Sequence, residues 1–138
     1  MFGQVESTRD GDRDGPTVLI VEDERVSRRA LASLLDRSGF QPHPHESAEE
    51  ALRDIEQGCD ADFALVDLDL PGMSGLDLIS RLEQKKPGMV SILMTAASGE
   101  RVDRFRREHR VYYMRKPVDF SRLLGLLESG PDAPNLHS

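Results

Sequence analysis

Five side chains stand directly after short apolar runs and have types that could act together: Glu22 and Asp23 after Val21, Asp67 after Val66, Thr95 after Met94, and Lys116 shortly after Met114. If those runs are parallel strands of one sheet, their carboxyl ends share an edge, and ligands bind beyond that edge where the strand order reverses. Three carboxylates would then converge. Like charges a few ångströms apart raise one another's pKa unless a cation neutralises them, and hard oxygen ligands of this kind suit Mg2+. Thr95 supplies a hydroxyl and Lys116 an ammonium. Carboxylates around Mg2+, with a hydroxyl and a lysine on the same cleft, meet the needs of a phosphoryl group whose oxygens gather charge, and an aspartate could serve as its nucleophile.

The elements that must position these groups are legible in the apolar periodicity, which alternates between unbroken runs and helical spacing. Thr17 to Val21 is β-branched and continuous, as a strand buried on both faces should be. Val26, Ala30, Leu31, Leu34 and Leu35 follow at helical spacing, and Gly39 ends that helix. Phe40 to His45 is a weaker strand, because Pro42 and Pro44 each remove a ladder donor and are tolerated only at an edge. Ser47-Ala48-Glu49-Glu50 reads as a capping box ahead of Ala51, Leu52 and Ile55.

Phe63 to Val66 is the third strand, leading to a turn marked by Pro71, Gly72 and Gly75 and a helix with Leu78, Ile79 and Leu82 inward, closed by Pro87-Gly88. Val90 to Met94 is the fourth strand. Val102, Phe105 and His109 give a short arginine-rich fourth helix, Val111 to Met114 the fifth strand, and Phe120, Leu123, Leu124 and Leu127 a closing amphipathic helix. Five strand–helix pairs imply right-handed crossovers and a three-layer α/β sandwich, (βα)5 and flavodoxin-like, with parallel order 2-1-3-4-5. That order places the proline-bearing second strand at an edge, as its chemistry requires.

Composition bounds the rest. A chain of 138 residues and 15.4 kDa suits one domain, here residues 16–129, between polar tails at 1–15 and 130–138. With 38% hydrophobic and 31% charged residues and a mean hydropathy of -0.48, the chain reads as globular with diluting tails. No apolar stretch approaches the roughly 20 residues a spanning helix needs, and the first residues lack the pattern of a secretory signal, so the cytosol is the expected location and no membrane the expected partner. Cys59 is the single cysteine, so a thiolate-rich zinc site lacks its second sulfur and structural zinc is not expected. A net charge of -7 disfavours phosphate-rich partners, and no direct DNA binding is expected. The charge is uneven: residues 100–116 hold seven basic and three acidic side chains, so the remainder carries -11.

The ordered set Glu22-Asp23, Asp67-Leu68-Asp69-Leu70-Pro71-Gly72-Met73-Ser74-Gly75, Thr95-Ala96 and Lys116-Pro117 resembles the receiver domain of bacterial two-component response regulators, over roughly residues 17–128. The resemblance implies that Asp67 accepts a phosphoryl group from a histidine kinase or histidine phosphotransfer protein. It implies that Asp23, Asp67 and the backbone carbonyl of Asp69 ligate Mg2+, with Glu22 acting through water. Thr95 and Lys116 would bind phosphoryl oxygens, Lys116-Pro117 would be a cis bond, and Thr95 and Tyr113 would pass the switch to a downstream protein at the face of the fourth helix, fifth strand and last helix. The chain departs from the family pattern in two places. Glu22 replaces the commoner aspartate, and Asp69 stands where an uncharged side chain is frequent, which leaves the lifetime of a phosphorylated state open.

Blander readings accompany these. The arginines of the fourth helix are ordinarily a solvated face; an acidic partner is the functional alternative. Arg25, Arg28 and Arg29 fit either contact with a phosphodonor or exposed helix polarity. His43 and His45 alternate on the edge strand and could share a metal, but only two ligands are visible, which favours surface histidines. A haloacid-dehalogenase-like phosphatase would use Asp67 and Asp69 as nucleophile and acid, yet such enzymes carry that pair on their first strand. A flavin-binding flavodoxin needs a hydroxyl- and glycine-rich loop after the first strand, which is absent. The chain is compatible with a single-domain regulator, a phosphorelay intermediate, or the receiver part of something longer.

Overall fold

The computed structural model describes residues 15–96, 103–104 and 111–129. Within them the chain runs β1 (Thr17–Val21), α1 (Arg25–Arg37), β2 (Gln41–His45), α2 (Ala48–Glu56), β3 (Phe63–Asp67), α3 (Gly75–Lys85), β4 (Val90–Thr95), β5 (Val111–Arg115) and α4 (Phe120–Ser129). All strand pairs are parallel and the order is β2-β1-β3-β4-β5, the flavodoxin-like arrangement. The predicted tails lie outside the described residues, as does the fourth helix apart from Asp103 and Arg104.

Alternation along each strand divides the core into two layers. Leu19, Val21, Ala64, Val66, Leu93 and Tyr113 face α2 and α3, where Ala48, Ala51, Leu78, Ile79 and Leu82 meet them. Val18, Ile20, Phe63, Leu65, Ile92 and Met114 face α1 and α4, against Leu31, Leu35, Leu123 and Leu127. Central strands β3 and β4 are buried throughout, which is why their sequences are continuous rather than alternating. The proline-bearing β2 occupies the outer position and is only half-buried.

Two helical faces differ from the periodicity. Val26 and Ala30 are exposed, Val26 at 72%, and α1 meets the core through buried Leu31 and Leu35, with Ala32 partly buried beside them. Phe120 is also exposed, while Leu123 and Leu127 of the same stripe are buried, Leu124 packs partly buried against the core, and Leu126 joins them. Val26 and Phe120 each lie in the first turn of their helix. The capping box on α2 is also altered. Ser47 Oγ accepts from the Glu50 amide at 3.2 Å, but the Glu50 carboxylate accepts from the Glu46 amide rather than from Ser47.

Candidate functional site

Glu22 and Asp67 stand where β1 and β3 end, and both are almost fully buried. Lys116, just past β5, inserts its ammonium between them and donates to Glu22 Oε1 and Asp67 Oδ2, each at 3.0 Å. Carboxylate oxygens of Glu22, Asp23 and Asp67 lie within 4.8 Å of one another. Asp23 is exposed and Asp67 buried, so the cluster opens to solvent on one side.

Each acid is fixed by the local backbone. The Asp67 Oδ1 accepts from the Asp69 amide at 3.0 Å, and Glu22 Oε2 accepts from the Glu24 amide at 3.0 Å. Burial pushes the Glu22 carboxyl above its usual range, and the neighbouring Asp67 pushes the same way; the Glu24 amide and Lys116 only partly offset this. Lys116 moves upward too: burial opposes its charge, but the hydrogen bonds and charges of Asp67 and Glu22 win. Three carboxylates against one ammonium leave an excess of two negative charges, and this oxygen-rich donor set is the kind that a hard divalent cation neutralises.

The other predicted residues take distinct places. Thr95 ends β4, fully buried, and its carbonyl accepts from the Lys116 amide at 2.9 Å. Thr95 pairs with Arg115 and Leu93 with Tyr113, so Thr95 and Tyr113 share a sheet face on adjacent strands. Tyr113 is 9% exposed. The Asp69 side chain is exposed at the mouth of the cleft, and the Lys116–Pro117 peptide is cis.

Gly75 opens α3 so tightly against the end of β3 that a Cβ there would lie 2.5 Å from the Asp67 carbonyl oxygen and 2.8 Å from Leu68 Cα. Its amide donates to the Leu68 carbonyl at 3.2 Å, and Ser74 caps the helix through the Asp77 amide. Only glycine allows that approach, so Gly75 positions the loop carrying Asp67 and Asp69.

Arg28 has a role the sequence left undivided from surface polarity. Its guanidinium donates to the carbonyls of Glu22 at 3.0 Å and Asp23 at 3.2 Å, so it braces the turn that presents both acids. The same guanidinium lies 3.8 Å from Glu46 Oε1, and the sequence signal was weak because backbone acceptors leave no trace in residue type. The exposed apolar side chains of α1 and α4 come together in place: Val26, Ala30 and Phe120, with Pro117, line a groove of about 380 Å3 that runs up to Glu22 and Lys116.

This sheet order with an acid cluster over β1 and β3 defines a class of doubly wound α/β domain. A family model described as the response regulator receiver domain matches residues 18–128. The structure resembles the CheY-like receiver domain protein of Methanospirillum hungatei, at a TM-score of 0.79 and 26% identity over 86% of this chain and 95% of that one. It also resembles the receiver domain of an HD domain-containing protein of Pseudomonas fluorescens, at 0.76 and 26%, covering 84% and 94%. Among curated proteins, a cyclic di-GMP phosphodiesterase of Thermotoga maritima is 41% identical over 80 residues, 58% of this chain and 21% of that protein. The DNA-binding transcriptional regulator NtrC of Rhizobium meliloti is 27% identical over 114 residues, 82% of this chain and 23% of that protein. The chain thus spans about a fifth of the length of these two relatives. It belongs to the response regulator receiver domain family of two-component signalling. Among the described residues, no helix is long and apolar enough to cross a membrane.

Proposed function

We propose that this receiver domain is a phosphoacceptor switch in which Asp67 takes a phosphoryl group from a phosphohistidine on a histidine kinase or histidine phosphotransfer protein. The phosphorus–nitrogen bond of the donor breaks, a bond from an Asp67 carboxylate oxygen to phosphorus forms, and the imidazole leaves with its electron pair. The observation that carries this reading is the pairing of buried Asp67 with Lys116 Nζ and the Asp69 amide, beside two further acids. The ammonium and amide hold the nucleophile in one orientation. Asp23, Asp67 and the Asp69 carbonyl would hold Mg2+ directly and Glu22 through water, and the ion would neutralise charge on the transferring oxygens.

Lys116 and Thr95 bind phosphoryl oxygens, and drawing Thr95 toward the acyl phosphate frees space that Tyr113 fills from the same sheet face. That shift is read by a downstream protein at the surface of β5 and α4 with the arginine-rich segment between β4 and β5. The phosphodonor seats its helix on the apolar groove of Val26, Ala30, Pro117 and Phe120, next to Lys116. The activity of any longer protein bearing this domain is set by what the domain is joined to.

The test is incubation with acetyl phosphate and Mg2+, read by intact-mass spectrometry. One phosphoryl adduct is expected, absent in Asp67→Asn and blocked by a chelator. An adduct that persists in Asp67→Asn overturns the assignment of the acceptor.

A further inference from the structure

Away from the acidic pocket, β2 and α2 bring together four side chains that the signalling reading does not use. Strand periodicity points His43 and His45 to one face of β2, toward α2. Asp54 in the last turn of α2 places Oδ2 2.9 Å from His43 Nδ1 and 2.9 Å from His45 Nε2. The helix then ends at a turn through Gly58, at φ 110°, and the Cys59 amide donates to the Asp54 carbonyl at 3.0 Å. This folds Cys59 back over Asp54, with Sγ 3.6 Å from His43 Nδ1. Single ligand atoms of His43, Asp54 and Cys59 all lie within 4.8 Å of one another.

We propose that His43 Nδ1, the Asp54 carboxylate and Cys59 Sγ form a site for a borderline-soft divalent metal of the zinc class, with His45 Nε2 orienting the Asp54 carboxylate from behind. Tetrahedral zinc, with bonds of about 2.0–2.3 Å, sets its ligand atoms roughly 3.3–3.6 Å apart. The sulfur–nitrogen separation already matches, and the nitrogen–oxygen pair needs only a few tenths of an ångström more. One nitrogen, one oxygen and one sulfur make a donor set that prefers zinc to magnesium, the reverse of the all-oxygen pocket 20 residues away in sequence at Glu22 and Asp23. The site requires no second thiolate, which is why a cysteine count does not reveal it.

Access and support are both present. The His43 and Asp54 side chains are 37% and 24% exposed, which leaves a path for entry and a fourth position for water. On its other ring nitrogen His45 faces Glu50, whose Oε1 lies 3.8 Å from His45 Nδ1. Bound metal would clasp the proline-weakened edge strand to α2.

The experiment titrates the full chain with Co2+ in excess Mg2+, so that the oxygen pocket is filled by the harder ion. Thiolate-to-cobalt charge-transfer absorption saturating at one equivalent per chain, and abolished by competing Zn2+, is the expected result. Cys59→Ser loses the band, His43→Ala and Asp54→Asn weaken binding at least tenfold, and Asp67→Asn keeps both band and affinity. His45→Ala weakens binding by roughly 10–100-fold while retaining the band, as an orienting residue should. Zinc is expected to raise the Tm of the unaltered chain by about 5 °C or more and to leave that of Cys59→Ser unmoved, with far-UV circular dichroism verifying the fold of each variant. No band, a band surviving in Cys59→Ser, or saturation at half an equivalent overturns the proposal.

Discussion

The pocket at the ends of β1 and β3 and the cluster between β2 and α2 are built on opposite plans. The pocket joins Glu22, Asp67 and Lys116, which are separated by up to 94 residues and held by backbone that the sheet registers fix. The cluster draws on residues 43–59, one strand and the helix that follows it. Distant assembly gives burial, since Glu22 and Asp67 sit at the ends of the inner strands β1 and β3; local assembly at an edge gives partly exposed groups. The donor chemistry diverges accordingly. Buried oxygens around an ammonium favour hard cations and phosphoryl oxygens, whereas imidazole, thiol and carboxylate on an open edge favour softer metals. On the readings proposed above, one small domain presents two donor sets of different hardness that need not compete.

The largest expected effect separates the two regions outright. Asp67→Asn should abolish phosphoryl uptake from acetyl phosphate, while Cys59→Ser should take up phosphoryl at the rate of the unaltered chain; uptake that falls equally in both would erase the distinction. Next comes Lys116→Ala, which leaves the Glu22 carboxylate buried without its cation. A loss of about 1–3 kcal/mol is expected in urea denaturation, smaller when Mg2+ is added, because the ion takes over part of the neutralisation. A loss that Mg2+ does not diminish would mean the pocket is structural only.

Gly75→Ala tests positioning rather than charge. The new methyl meets the Asp67 carbonyl oxygen and Leu68 Cα, so the loop must shift, at a cost of about 1–3 kcal/mol and with slower phosphoryl uptake. Near the other region, Ser47→Ala removes the cap of α2 and should cost about 1 kcal/mol without slowing uptake. The smallest stability effect belongs to Asp69→Asn. Its side chain is exposed, so denaturation should move by less than about 0.5 kcal/mol, yet the half-life of the acyl phosphate should change. Equal half-lives would remove Asp69 from the mechanism.

These comparisons also separate what the chain reveals from what folding adds. Pro42 and Pro44 put β2 at the edge because a missing amide donor has the same consequence in any tertiary setting, and the strand order observed agrees. The unbroken run from Thr17 to Val21 announced a strand buried on both faces for a similarly local reason, and Val18 to Val21 are buried. Helical faces were less readable. Val26, Ala30 and Phe120 repeat at helical spacing with buried neighbours, yet each stays exposed beside the groove that reaches Glu22 and Lys116. Periodicity records which residues share a face and not what packs against it.

The site shows the same division. Residue types at strand ends were enough to assemble Glu22, Asp23, Asp67, Thr95 and Lys116 as candidates, since a parallel sheet delivers every strand's carboxyl end to one edge. Sequence by itself therefore determined the strand order, the edge position of β2 and the chemical character of the cleft. Tertiary structure alone decided that Arg28 grips the carbonyls of Glu22 and Asp23, that Gly75 abuts Asp67, and that the turn at Gly58 folds Cys59 onto Asp54 beside His43. Backbone rules act over a few residues and leave a trace in composition; contacts between side chains and distant or reversed backbone depend on where the chain returns, which no local pattern encodes.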